Sequence, residues 1–217
     1  MNITKSQISP HISIQYQSPE HYHLAENALR TISKGNAGKS LINEIRNNSV
    51  DGKSMQIEVN NYSMSVAYPK LTESQLAKFG VSDAPLNKEH NNLATSLANK
   101  KSFGRKGEGT SSVVVWNPSV SVHVENGKNI GLNDENEAFI SLAHEMIHGY
   151  RMMKGTYLTD GSYRHDLETK SAEEEARTVG LGNHAGKEIT ENAIRREHGL
   201  ELRARYKLDE NDILMGL

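Results

Sequence analysis

Residues 138–155 read AFISLAHEMIHGYRMMKG. Two histidines, His144 and His148, stand four residues apart, and Glu145 directly follows the first. At 3.6 residues per turn this spacing puts both imidazoles on one face of a helix, one turn apart. Phe139, Ile140, Leu142, Met146 and Ile147 are apolar, so the same helix is expected to pack into a core while presenting its histidines.

Two imidazoles so placed can each bring a ring nitrogen to about 2 Å from a single Zn²⁺. Glu145 lies on the same side but offset, so it reaches a water at the metal rather than the metal itself, the position of a general base. This is the H-E-x-x-H signature of the zincins. The chain has no cysteine, so any metal must rest on histidine and carboxylate. The longer pattern HExxHxxGxxH would need glycine at 151 and histidine at 154, where this chain has Arg151 and Lys154. The other common solution is a glutamate on a second helix, the gluzincin arrangement. SAEEEARTVGLG supplies Glu173, Glu174 and Glu175, 25 to 27 residues beyond His148. Glu168, His165 and His184 are further candidates, and an acidic run of this kind can also be no more than a solvated helix face.

Outward from this motif, the order of elements suggests an α+β domain. Residues 1–20 are rich in Ser, Ile and Gln, lack an apolar signal-peptide core, and read as a flexible segment. Leu24, Ala28, Leu29 and Ile32 mark a helix, and Gly35 and Gly38 interrupt it before a second piece around Leu41, Ile42 and Ile45. SMQIEVNNYSMSVAY alternates as one or two strands. Residues 69–110 are polar and end in a Gly- and Lys-rich stretch, NKKSFGRKGEGT, that reads as a solvated loop. Val113 to Trp116 form the most β-prone segment, ended by Asn117-Pro118, and a turn-rich approach leads to the histidine helix, which Asp134 or Asn136 could cap. Beyond it the chain reads as helical to its end.

A formal net charge of -2 offers no basic field for nucleic acid or anionic lipid, and the acidic segments carry no calcium-loop pattern. No apolar run approaches the roughly 20 residues of a membrane span, and no heptad seam suggests assembly, so a monomer is expected.

HEMIHGYR followed by EEEARTVGL resembles the NleD-type effector zinc metallopeptidases of bacterial pathogens, which type III secretion delivers into host cells. More distantly, the two segments resemble the clostridial neurotoxin light chains, where HELIH precedes EELRTFGG and the second Glu binds zinc. Through Glu175, Arg177, Thr178 and Gly180, that resemblance implies Glu175 as third ligand and Glu174 as the carboxylate behind it. The light chains also carry a Glu in a T-E-[DN] context, an Arg twelve residues on and a Tyr three later. TENAIRREHGLELRARY places Glu191, Arg203 and Tyr206 at those offsets. The resemblance implies that Arg203 and Tyr206 stabilise an oxyanion and that Glu191 orients a ligand. It is strong over roughly 140–206, with a shorter His148-to-Glu175 spacing and Val179 in place of Phe.

The reading that follows is a compact, gluzincin-type zincin domain over 21–217 behind an N-terminal secretion segment. One Zn²⁺ per chain would be held by His144, His148 and Glu175, with Glu145 as base. The strand at 113–116 would run beside the cleft, where an exposed edge can pair with substrate backbone. By resemblance, the enzyme is secreted by a type III system and works in the host cell cytoplasm. Its substrate would be a host signalling protein, with mitogen-activated protein kinases the leading candidate. The alternatives are an effector that binds a host protein without cutting it, and a zinc hydrolase acting on a non-peptide bond.

Overall fold

The computed structural model describes residues 1–61, 64–84, 87–132, 134–164, 166 and 168–207. Its first surprise is at the N-terminus. The flexible segment expected over 1–20 instead contains β1 (Asn2–Lys5) and β2 (Ile12–Tyr16), paired antiparallel. Ile12 and Ile14 are completely buried, and that apolar alternation anchors the segment in the sheet. Helix α1 (Pro19–Ile32) starts at a Ser18 cap with Pro19 in its first turn, and α2 (Asn36–Asn48) follows. Gly35 separates the two helices, but Gly38 lies inside α2.

The alternating segment gives two strands, β3 (Met55–Val59) and β4 (Val66–Lys70). The polar stretch after them is not mere loop, for it holds α3 (Glu73–Phe79) and α4 (Lys88–Ala98). The Thr72/Gln75 capping box and the Asn87 cap start these helices, so short-range polar signals outweigh low hydrophobicity. Next comes β5 (Ser111–Trp116). The turn-rich approach is in fact a hairpin, β6 (Ser121–Glu125) and β7 (Lys128–Leu132), turned by Asn126 and Gly127 at φ 50° and 75°.

The main sheet has the order β1-β2-β3-β5-β4, parallel between β2, β3 and β5 and antiparallel at both ends. So β5 is interior, and the sheet edge beside the cleft belongs to β4 rather than to the strand at 113–116. Helix α5 (Ala138–Lys154) packs on this sheet with α1 and α2, in a core that includes Ile14, Leu29, Leu41, Ile57, Trp116, Leu142 and Ile147. Trp116 donates its indole N–H to the Ala138 carbonyl at 3.0 Å, pinning the start of α5 to β5. Neither Asp134 nor Asn136 caps α5: Glu137 takes the cap position, and Asp134 accepts instead from the Asn136 amide. The Gly-rich stretch is not simply solvated. Gly107 donates to the Gly155 carbonyl at 2.7 Å and Thr110 to that of Met152 at 3.2 Å, closing the C-terminal end of α5.

Two shorter helices complete the domain, α6 (Lys170–Val179) and α7 (Glu191–Glu197). The expected long terminal helix stops at Glu197, where the following residues include Gly199 at φ 69°, and Arg203 and Tyr206 lie in irregular chain. Far from being an exposed charged helix, α7 buries Glu191, Asn192, Ile194 and Arg195. No helix among the described residues is long and apolar enough to cross a membrane.

Candidate metal centre

Helix α5 supplies the two histidines and Glu145, α6 supplies Glu174 and Glu175, and α7 supplies Glu191. His144 and His148 are buried, with their Nε2 atoms 3.1 Å apart. Oε2 of Glu175 lies 3.2 Å from the first and 3.1 Å from the second. Three donors at the corners of such a triangle match one face of a tetrahedron with arms of about 2 Å, the preferred geometry of a nitrogen- and oxygen-ligated zinc ion. Among the described residues this is the one group of three so arranged.

The opposite ring nitrogens are held by carboxylates. Nδ1 of His144 lies 2.8 Å from Glu191, and Nδ1 of His148 lies 3.1 Å from Glu174. A carboxylate there accepts a hydrogen bond from Nδ1–H, fixing the tautomer that leaves the Nε2 lone pair free to bind a cation. Both carboxylates are themselves held. Glu174 accepts from Arg151 at 3.1 Å and from the Leu158 amide at 3.1 Å, and it pairs with Arg177. Glu191 accepts from Arg195 at 2.7 Å and from Arg203 at 3.0 Å. Arg203 and Asn192 clamp one another through paired hydrogen bonds of 2.9 Å, and the Arg203 guanidinium also reaches the Tyr206 carbonyl.

Electrostatics follow from this packing. Burial raises the carboxyl pKa of Glu175, yet the His148 charge and the histidine hydrogen bonds reverse that and hold it far below the carboxylate range. Burial likewise works against the charged His148, but Glu175 and Glu174 push it up to about 10. Glu145, unlike Glu175, is raised, chiefly by burial, with the charges of His144 and His148 pulling the other way.

Glu145 lines a cleft of about 490 Å³ together with His144, Tyr163, Arg164, Arg203 and Tyr206. The Tyr206 ring stacks on that of His144 with 6.1 Å between centroids. Of the other ligand candidates, Glu173 and Glu168 are exposed, His184 is outside the three-residue group, and His165 lies outside the described residues. Sequence reasoning missed Arg151, Arg195 and Arg164. The first two sit at helical i+3 and i+4 offsets from His148 and Glu191, a signal that was available; Arg164 sits in irregular chain with no pattern to mark it.

The family model for peptidase M91, described as an effector protein, matches residues 10–206. The chain belongs to that family. It is thus a member of an effector peptidase family, and its match begins within the first β-hairpin and ends at Tyr206. No curated protein matches it by sequence. Among solved structures it is similar to the Clostridium botulinum neurotoxin serotype F light chain, at 16% identity over 78% of this chain and 45% of that one, with a TM-score of 0.43. It is also similar to the botulinum neurotoxin serotype HA light chain, at 12% identity over 94% of this chain and 63% of that one, with a TM-score of 0.46. The chain therefore spans about half to two thirds of the length of these light chains.

Proposed function

We propose that the chain is a zinc-dependent endopeptidase, a type III effector that cuts a host signalling protein in the host cytoplasm. The observation that carries this reading is the meeting of the His144, His148 and Glu175 donors at 3.1–3.2 Å, with carboxylates behind both imidazoles. One zinc ion held there by His144, His148 and Glu175 would supply Lewis acidity toward water and the substrate carbonyl oxygen. Glu145 takes the proton of the attacking water as its oxygen adds to the scissile carbonyl carbon. The same carboxyl then delivers the proton to the amine nitrogen as the C–N bond breaks. Tyr206, beside His144 in the cleft, donates to the oxygen on which negative charge develops, and Arg203 adds positive charge nearby.

Family resemblance favours a mitogen-activated protein kinase as substrate. Residues 1–20 would serve as the export signal before folding into β1 and β2, and the protein is expected to work as a monomer. The deciding measurement is bound zinc per chain for wild type, Glu145→Ala and Glu175→Ala, each then incubated with host-cell kinases. Glu145→Ala should keep zinc and cleave nothing, while Glu175→Ala should lose the metal. A wild type without zinc would hand the site to the host-binding alternative, and zinc without cleavage would remove the kinase assignment alone.

A further inference from the structure

Arg164 lies between α5 and α6 in a stretch that sequence patterns leave blank. Its side chain is half exposed and lines the cleft. One guanidinium nitrogen, Nη1, donates to two groups: Oε1 of Glu175 at 3.2 Å and the Tyr206 hydroxyl at 3.3 Å. Oε1 is the carboxylate oxygen turned away from the imidazoles, since Oε2 is the one that faces both Nε2 atoms. The Tyr206 carbonyl is meanwhile held by Arg203. The two arginines therefore divide the labour. Arg203 is buried and committed to Glu191, whereas Arg164 stands at the open side of the cleft.

We propose that Arg164 is a positioning residue that couples the third metal ligand to Tyr206. Resting on the metallopeptidase reading, this assigns it two linked tasks. By occupying Oε1 it restricts Glu175 to a single ligating oxygen. By donating to the Tyr206 hydroxyl it directs that oxygen's lone pair toward itself and orients the phenol relative to the metal face. The neighbouring Asp160 braces this stretch, accepting from the Lys170 amide at 3.1 Å at the start of α6, so the arginine is delivered from a tethered segment.

The test needs no natural substrate. Zinc is titrated into metal-free wild type, Arg164→Ala, Tyr206→Phe and the double variant by chelator competition, and acetohydroxamate is then bound to each zinc-loaded protein. Acetohydroxamate chelates the metal and places an anionic oxygen in the cleft, so its affinity reports the donors around that oxygen. Arg164→Ala should weaken zinc about tenfold, the scale for loss of a group that orients a ligand. Acetohydroxamate affinity should fall in both single variants, and the double variant should bind no worse than the weaker single one. Unchanged zinc affinity in Arg164→Ala, or acetohydroxamate losses that simply add, overturns the proposal while leaving the metallopeptidase reading intact. A wild type that takes up no zinc removes that reading, and this inference with it. Because Arg164 is half exposed, its truncation leaves the core untouched, and thermal melts of the metal-free variants verify the fold.

Discussion

Glu191 shows how much one buried carboxylate can carry. It is 1% exposed and meets His144, Arg195 and Arg203. Burial alone would raise its pKa, but the Arg203 and Arg195 charges outweigh burial and hold it far below its ordinary 4.5. A carboxyl depressed in the folded state contributes stability that is fully present above the unfolded value. That contribution drains away as pH falls toward the folded one. Glu191→Gln should therefore cost about 3–5 kcal/mol at pH 7, because it leaves two buried guanidinium groups short of a counter-charge. With both proteins metal-free, the gap should shrink by about 1.4 kcal/mol for each pH unit below 4.5. Urea midpoints at pH 7 and pH 3.5 measure it, and a gap that does not change with pH would exclude this electrostatic account.

At the scale of elements, Gly38 illustrates a conflict between local propensity and packing. Read as sequence, it breaks a helix; in the structure it lies inside α2, and a Cβ there would meet the Ile32 carbonyl oxygen at 1.8 Å. The end of α1 passes so close to α2 that only a hydrogen fits. Gly38→Ala gains roughly 1 kcal/mol of helix propensity. It should nonetheless destabilise the protein by about 1–3 kcal/mol, since backbone rather than a flexible side chain must give way. A higher melting temperature in this variant would refute the close approach.

The same contrast explains what could be read in advance. His144, Glu145 and His148 were legible because a helix turns a spacing of four into one face. Helices α3 and α4 were legible in principle, through Thr72-x-x-Gln75 and Asn87, but their few apolar residues hid them. The pairing of β2 with β3 was not legible, because the parallel partner Met55–Glu58 lies some forty residues away. Nor was Arg164, whose value comes from two acceptors brought together by different parts of the chain.

At the scale of the molecule, the site doubles as the fastening between α6 and the rest of the domain. The buried residues of α6 are Ala172, Glu174, Glu175, Thr178 and Val179. That is little apolar surface, so the helix is held mainly by charge-assisted hydrogen bonds to His144, His148 and Arg151 on α5. A cation shared by α5 and α6 would strengthen this fastening, whereas the sheet core of Ile57, Val114 and Trp116 lies away from it. Any ligand bound only by the folded state stabilises it by mass action, by about 4 kcal/mol at a thousandfold excess over its dissociation constant. For a chain of this size that corresponds to a melting temperature lowered by roughly 8–16 °C when a chelator strips the metal. The loss should also be local. Amide hydrogen exchange in residues 170–179 should accelerate first, while β5 stays protected until global unfolding. If chelation accelerated exchange equally in α6 and β5, the metal would be acting on the whole fold at once and α6 would not be its dependent element. If exchange did not change anywhere, no cation would be joining the two helices.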